Sequence, residues 1–204
     1  MTGDERLRLF LALRLPEPEL DVLEAWQGKH LPSGYRIVPR SNLHVTLAFL
    51  GHRPAGELPA ILAELRDAAA GLGELPRLTA LRYRETRSVG MLVLDDEDGR
   101  AERLARDVQG RLERLGVYRS EARRWLPHVT VARFRKPEGL RPELPNRGTY
   151  VLIPSDASAY LSRLRPPQTK AQRHPGGQNR DPAFGPGLAP GAQYEILESF
   201  ALGA

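Results

Sequence analysis

Two copies of the triplet His-Val-Thr are the residues in this chain whose types and spacing could carry out chemistry together. They occupy residues 44–46 and 128–130, and the whole sequence contains only 5 histidines. An imidazole donates or accepts a proton near neutral pH, so two of them can supply a general acid and a general base. The threonine hydroxyls can donate hydrogen bonds to oxygen atoms on which negative charge develops. This set of groups suits the opening of a cyclic phosphodiester without a metal ion.

Each triplet lies in a segment with the residue pattern of a β-strand. Side chains alternate between the two faces of a sheet, so His44 and Thr46 share one face while the apolar neighbours take the other. The same alternation places His128 and Thr130 on one face of the second strand. If the two strands border one cleft, both imidazoles and both hydroxyls converge there.

Other interpretations of the histidines are weaker. A single His-x-Thr in a strand is more often a core histidine bonded to a neighbour, but two identical copies favour a functional pair. A zinc site built from His44, His52 and His128 lacks a fourth ligand and the ligand spacing of zinc motifs. The chain contains 0 cysteines, which excludes disulfides, iron–sulfur clusters and thiol nucleophiles. We therefore predict a site with no metal and no cofactor.

The elements that must position these residues form an α+β pattern in which strands outnumber helices. Alternating apolar residues predict strands over 7–15, 35–38, 43–50, 75–84, 88–94, 124–134, 150–153, 158–164 and 193–202. Apolar residues at helical spacing predict helices over 17–28, 57–72 and 100–115. Gly116 follows the third helix as a left-handed cap. The sheet is predicted to be mostly antiparallel.

The two triplets divide the chain into related halves, residues 7–73 and residues 75–134 plus the tail. We treat residues 1–204 as one domain with two lobes. Residues 165–191 break the pattern, because they hold six prolines, five glycines and four Lys or Arg residues. Such a segment cannot bury enough apolar surface to offset the cost of ordering it. It is predicted to be a flexible basic insertion, either a flap that contacts RNA or a solvated loop.

The charge balance indicates a partner only weakly. Lys and Arg number 30 against 25 Asp and Glu, for a net charge of +5, and all but three of the basic residues are arginine. Arginine favours bidentate contacts to phosphate, although a GC-rich genome or a thermophilic habit would give the same excess. No apolar run reaches transmembrane length, and the acidic residues near the N-terminus are unlike a signal peptide. We expect a cytoplasmic monomer.

The two motifs resemble those of the 2H phosphoesterase superfamily. The sequences NLHVTLAFLG at 42–51 and WLPHVTVAR at 125–133 are similar to its RNA 2′,3′-cyclic phosphodiesterase branch, the LigT/ThpR or 2′–5′ RNA ligase family. The first strand, RLFLAL at 8–13, and the last, YEILESF at 194–200, are similar to the same branch. The resemblance covers most of the chain outside the insertion.

That resemblance implies a bilobal fold in which two pseudo-symmetric, mostly antiparallel sheets flank a central cleft, with helices on the outside. It implies hydrolysis of an RNA-terminal 2′,3′-cyclic phosphate to a 2′-phosphate, and also 2′–5′ joining of RNA ends such as tRNA fragments. The resemblance also implies that His44 is the proton donor and His128 the proton acceptor in this reaction. Thr46, Thr130 and Arg133 are the substrate-binding candidates. Strict alternation places Arg133 opposite His128, so a bulge or the strand end is needed to bring it round.

Several neighbouring residues are assigned less specific roles. Phe49 alternates away from His44 and is predicted to lie in the core, and packing is the favoured role for Trp125. Tyr35 and Arg36 could stack on a base. Arg124 falls on the His128 side of its strand, where it either steers RNA or is simply solvated.

Two further functional classes remain open on the sequence alone. The arginine excess and the basic insertion are also compatible with a non-catalytic RNA-binding module, whose affinity would depend on salt and not on a cyclic phosphate. A 2H phosphoesterase for a small cyclic nucleotide would use the same two motifs. Only a panel of substrates separates that enzyme from one acting on RNA.

Overall fold

The computed structural model describes residues 5–120, 124–145, 151–164 and 192–203. The predicted insertion at 165–191 lies outside the described residues. Within the described ranges, no helix is long and apolar enough to cross a lipid bilayer.

The described residues form nine strands and three α-helices. The strands are β1 (Arg6–Arg14), β2 (Arg36–Ile37), β3 (His44–Pro54), β4 (Leu78–Glu85), β5 (Val89–Asp96), β6 (His128–Arg133), β7 (Val151–Leu152), β8 (Asp156–Leu164) and β9 (Ala192–Ala201). The helices are α1 (Glu17–His30), α2 (Leu58–Ala70) and α3 (Arg100–Arg114). Gly116 adopts φ 76°, as its predicted place after α3 requires.

The strands hydrogen-bond in the order β7-β4-β5-β6-β3-β1-β8-β9, with β2 paired to β6, and every pairing is antiparallel. This order divides at its centre into two lobes of four principal strands each. In the described residues the lobes meet through a single register pair, Val45 of β3 opposite Val129 of β6. The α+β fold with two similar antiparallel lobes is therefore confirmed.

The lobes do not coincide with the two halves of the sequence. The tail, predicted to belong with residues 75–134, instead supplies β8 and β9, and β8 pairs with β1 over Leu9–Arg14 of the first lobe. Helix α1 follows β1 but packs on the second lobe, where Trp26 contacts the ring of Tyr83. Non-local strand pairing, which periodicity does not report, decides this exchange.

The strand predicted over 124–134 is also shorter than expected, since β6 begins at His128. Pro127 has no N–H to donate to a ladder, although its carbonyl accepts from the N–H of Leu94 at 2.9 Å. Arg124 instead forms an ion pair with Glu102 of α3 at 2.5 Å. The residues before His128 therefore meet β5 through the Pro127 carbonyl but do not extend β6.

The two faces of β1 belong to two different apolar clusters. Leu9, Leu11 and Leu13 are fully buried in the main core, as period-two alternation predicts. Phe10 and Ala12 of the opposite phase belong to a second, smaller apolar cluster with Tyr160. The sheet therefore carries an aromatic cluster on the face opposite the main core.

Candidate active site

The two His-Val-Thr strands lie side by side at the junction of the lobes. Because Val45 faces Val129 in an antiparallel pair, His44 comes opposite Thr130 and Thr46 comes opposite His128. The two valines are fully buried, while the four residues around them are partly accessible. The structure thus brings both predicted histidines and both predicted threonines to one face.

Both imidazoles are anchored in the same way. Nδ1 of His44 lies 2.8 Å from the carbonyl oxygen of Asn42, and Nδ1 of His128 lies 2.8 Å from that of Leu126. A carbonyl can only accept, so Nδ1 carries a proton in each ring. Nε2 of each ring is then the atom that gains or loses a proton, which is what an acid and a base require.

His44 is packed against three aromatic rings. Its ring centroid lies 4.8 Å from that of Phe10, 5.7 Å from Tyr160 and 5.5 Å from Tyr194. Burial among these groups lowers the pKa of His44 to about 4, although the hydrogen bond to the Asn42 carbonyl acts in the opposite direction. In the substrate-free protein His44 is therefore neutral at pH 7.

Two other side chains of the site act on the pKa of His44 in the same direction. His128 and Arg133 each lower the pKa of His44 further, by less than burial does. The antiparallel register places His128 opposite Thr46, on the face that carries His44.

Each of the two strands contains a β-bulge at the same position after its triplet. In β3, Ala48 pairs with Leu11 and Thr46 pairs with Ala12, which leaves Leu47 as an extra residue. In β6, Ala132 pairs with Gly90 and Thr130 pairs with Met91, which leaves Val131 as the extra residue. A bulge shifts the alternation of the residues that follow it.

The burial pattern records that shift. Both strands run partly accessible, buried, partly accessible, buried, buried, exposed over their first six residues. The sixth residue is Phe49 in β3 and Arg133 in β6. Both are therefore returned to the accessible face that carries the histidines.

Arg133 consequently lies on the His128 side, and the strict alternation that placed it on the opposite face is wrong for this strand. It is exposed, and in the β2–β6 ladder it pairs with Arg36. Two arginines facing one another repel, and Arg133 contributes to the lowered pKa of Arg36 after the larger effect of burial. An anion between them would relieve that repulsion.

The prediction that Phe49 lies in the core is wrong for the same reason. Its side chain is 49 % exposed, and the guanidinium of Arg8 lies 4.8 Å from the ring centroid. The Arg8 side chain also donates to the hydroxyl of Ser162 at 2.7 Å. Phe49 is thus an accessible aromatic surface at the edge of the cleft.

Two other aromatic residues are held by hydrogen bonds. The prediction of a packing role for Trp125 is confirmed, since it packs on the core and its indole N–H donates to the Thr46 carbonyl at 3.0 Å. Tyr35 is buried and donates to a carboxylate oxygen of Glu85 at 2.8 Å. Burial and that carboxylate raise the pKa of Tyr35 to about 12. Tyr35 is therefore unavailable to stack on a base.

The remaining histidines of the described chain lie away from the pair. His30, predicted in a loop, ends α1 and stacks on Trp26 with a centroid distance of 5.7 Å. His52, also predicted in a loop, is an exposed residue of β3. In the described ranges no three His, Cys, Asp or Glu side chains come together in a group that could hold a metal ion.

The rings of Phe10, Tyr160 and Tyr194 beside His44, which we call its aromatic wall, are the part of the site that sequence reasoning missed. Phe10 lies in the phase of β1 that otherwise holds Arg8, Ala12 and Arg14, so an aromatic residue in a polar phase was the available signal. Tyr160 and Tyr194 carried no such signal, because their proximity to His44 depends on pairing across β1, β8 and β9.

A family model supports the assignment that this geometry suggests. The model of the 2′–5′ RNA ligase superfamily matches residues 15–150, which include both triplets and both bulges. The chain belongs to the 2′–5′ RNA ligase superfamily.

Curated relatives within this superfamily extend over most of the chain. An RNA 2′,3′-cyclic phosphodiesterase of Thermus thermophilus is 32% identical over 209 aligned residues, covering 90% of this chain and 98% of the relative. An RNA 2′,3′-cyclic phosphodiesterase of Methanocaldococcus jannaschii is 26% identical and covers 63% of this chain and 72% of the relative.

Solved structures share the architecture. Escherichia coli LigT complexed with 3′-AMP superimposes with a TM-score of 0.69 at 23% identity, covering 97% of this chain and 99% of LigT. The protein TT0787 of Thermus thermophilus gives a TM-score of 0.69 at 26% identity and covers 97% and 98% of the two chains. The bilobal fold expected from the resemblance is thereby confirmed.

Proposed function

We propose that this protein hydrolyses an RNA-terminal 2′,3′-cyclic phosphate to a 2′-phosphate, with His44 as the proton donor and His128 as the proton acceptor. The observation that carries the proposal is the matched anchoring of two imidazoles by their Nδ1 atoms on one face. It leaves two Nε2 atoms for proton transfer beside two threonine hydroxyls. The 32% identical relative named for this activity supports the same substrate class.

The proposed reaction is a single displacement at phosphorus. Nε2 of His128 removes a proton from water, and the water oxygen forms a bond to phosphorus. The bond from phosphorus to the ribose 3′-oxygen breaks, and Nε2–H of His44 protonates that oxygen. The product carries a 3′-hydroxyl and a 2′-phosphate, so atoms and protons balance with water as the only co-reactant.

The lowered pKa of His44 places a condition on this assignment. A group that is neutral at pH 7 must gain a proton before it can act as a donor, and the pKa of His44 is about 4 in the empty site. The negative charge of a bound phosphodiester favours the imidazolium and raises that pKa. We propose that His44 takes up its proton together with the substrate.

The remaining site residues are proposed to bind the substrate. The hydroxyls of Thr46 and Thr130 donate to the non-bridging phosphate oxygens as charge develops on them. Arg133, paired across the ladder with Arg36, provides positive charge for the phosphate. The exposed ring of Phe49 offers a stacking surface for the base of the terminal nucleotide.

We propose RNA ends, including tRNA fragments, as the natural substrates of a monomeric protein in the cytoplasm. The support for an RNA substrate is the printed activity of the two curated relatives. RNA fragments arise inside cells, which is the reason for the cytoplasmic location.

Product analysis on an oligonucleotide with a 2′,3′-cyclic phosphate end tests the proposal. We expect a product with a 2′-phosphate and a 3′-hydroxyl, formed equally well in the presence of EDTA. A 3′-phosphate product, or loss of activity with EDTA that zinc restores, would contradict the proposed chemistry. The same assay with a 2′,3′-cyclic mononucleotide separates an RNA enzyme from one for small cyclic nucleotides. Binding of RNA without any turnover would leave only the RNA-binding module.

A further inference from the structure

Two glutamines hold the bulges that follow the two triplets. Nε2 of Gln27, on α1, donates to the carbonyl oxygen of Val131 at 2.8 Å and to that of Val38 at 3.0 Å. Nε2 of Gln109, on α3, donates to the carbonyl oxygen of Leu47 at 2.8 Å. Val131 and Leu47 are the extra residues of the two bulges. Each glutamine therefore binds the main chain where the strand departs from regular pairing.

The two contacts are equivalent under the symmetry of the lobes. Helix α1 follows β1, which pairs with β3, but Gln27 of α1 binds β6. Helix α3 follows β5, which pairs with β6, but Gln109 of α3 binds β3. Each helix thus follows a strand of one lobe, while its glutamine holds the bulge in a strand of the other lobe. An arrangement repeated at matched positions in both lobes is more than the chance satisfaction of one carbonyl.

Because the Gln27 side chain is almost fully buried, its amide needs hydrogen-bond partners inside the protein. Gln27 is 1% exposed, and the described part of the chain contains few other polar side chains that are buried so completely. A buried amide without partners costs free energy, so Gln27 is tolerated because both carbonyls accept from it. Gln109 is only partly buried, which makes its substitution less disruptive to folding.

The bulge determines which face the sixth residue of each strand occupies. Without the extra residue, period-two alternation would place Arg133 and Phe49 on the core face. With it, both side chains are exposed on the face of the histidines. The main-chain position that each glutamine holds lies two residues before the side chain that the bulge redirects.

We propose that Gln27 and Gln109 are positioning residues of the active site, Gln27 for Arg133 and Gln109 for Phe49. The inference rests on the proposed function, because Arg133 and Phe49 are its proposed phosphate and base contacts. Neither glutamine touches the substrate. Each acts by holding the carbonyl of the bulged residue, so that the next exposed side chain faces the cleft.

Paired substitutions distinguish positioning from a purely structural role. Methionine matches glutamine in length but has no N–H donor, so the variants are Gln27→Met and Gln109→Met, each combined with Arg133→Ala and with Phe49→Ala. kcat and KM are measured on the cyclic-phosphate oligonucleotide. Circular dichroism verifies that each variant is folded at the assay temperature.

We expect Arg133→Ala to lower kcat/KM by about tenfold, mainly through KM, because a charge-assisted contact to phosphate is lost. Gln27→Met gives a similar loss, and the double variant loses little more than either single variant, since both remove one contact. The crossed pair, Gln27→Met with Phe49→Ala, gives losses that multiply. Gln109→Met shows the reverse preference, coupling to Phe49→Ala and multiplying with Arg133→Ala.

The inference is overturned if the losses multiply in all four combinations, because the glutamines would then act on stability alone. It is also overturned if Gln27→Met and Gln109→Met leave kcat/KM unchanged. If Arg133→Ala and Phe49→Ala have no effect, the substrate contacts and the inference fail together, while product analysis still decides the reaction itself. If Gln27→Met does not fold, the two combinations with the partly buried Gln109 decide the question.

Discussion

The strands β3 and β6 are built alike, yet their histidines have different surroundings. Both place a histidine with Nδ1 on the carbonyl two residues before it, and both carry a bulge after the threonine. His44, however, contacts the rings of Phe10, Tyr160 and Tyr194. In the described part of the chain no aromatic ring contacts His128. The main-chain geometry of the two strands is therefore alike, whereas the side chains around the two histidines differ.

This difference shows how two strands with the same main-chain geometry can place their histidines in different surroundings. Identical anchoring gives both imidazoles the same tautomer, with Nδ1 protonated. The neighbouring strand then sets the environment: β1 supplies Phe10 beside β3, and β5 supplies Val89 at the matching register beside β6. Burial lowers the affinity of His44 for a proton in the empty site, so the proposed donor role of His44 depends on the negative charge that a bound phosphate brings.

The largest expected effect tests whether both histidines are needed. His44→Ala and His128→Ala should each lower kcat roughly 10²–10⁴-fold on a cyclic-phosphate oligonucleotide, since each removes one proton-transfer group. Because the two strands are built alike, we expect each substitution to lower kcat, and the fall in kcat of the double variant should be smaller than the product of the two single falls. His52→Ala, an exposed position on the same strand as His44, is the control and should retain full activity. Full turnover by either single variant would remove that histidine from the mechanism.

Substitution of the two threonines tests whether both lobes contribute a hydroxyl donor to the site. Thr46→Val and Thr130→Val keep the shape of the side chain and remove one hydroxyl donor, so each should lower kcat by about 10²-fold with little change in KM. Equal losses would indicate that both lobes contribute donors to the developing charge. A loss confined to one variant would restrict charge stabilisation to that lobe, and an effect on KM alone would assign the hydroxyls to binding.

The aromatic wall is the feature that separates the two histidines, and Tyr194→Leu weakens it. Burial is the main cause of the lowered pKa of His44, so opening the wall should raise that pKa from about 4 toward its ordinary value. NMR titration of the imidazole protons measures the change, with the resonance of His128 as the comparison inside the same molecule. An unchanged His44 titration would mean that the rings do not set its pKa.

The same substitution should change how stability depends on pH. Because the pKa of His44 is lower in the folded chain than in the unfolded one, the unfolded chain binds the extra proton between about pH 6.5 and 4. Stability contributed by neutral His44 is therefore present above that window and is lost as the pH falls through it. Tyr194→Leu should reduce this slope, which denaturant unfolding at several pH values measures; a steeper slope would contradict the sign.

The smallest expected effect concerns an arginine outside the cleft. Arg124 is 81% exposed and is already engaged by Glu102, so Arg124→Ala should change kcat/KM by no more than about twofold. Kinetics at low and moderate salt check this expectation. A loss as large as that of Arg133→Ala would show that phosphate recognition extends beyond the bulged face to the segment before β6.

The sequence by itself determined the elements whose signal is local. The alternation of leucines in β1 and the helical spacing in α2 and α3 arise from periods of two and 3.6 residues, which any window of a few residues contains. The paired triplets likewise identified His44, Thr46, His128 and Thr130 as one group. A strand places alternate side chains on one face wherever it is found.

The tertiary structure alone decided which further residues join that group. A bulge exists only relative to the register of a neighbouring strand, so alternation within β3 or β6 could not place Phe49 or Arg133. The aromatic wall of His44 depends in the same way on β8 and β9, which follow it in the chain by more than 100 residues. Local sequence carries the side-chain period, but pairing between distant strands sets the phase of that period, and the phase decides what faces the cleft.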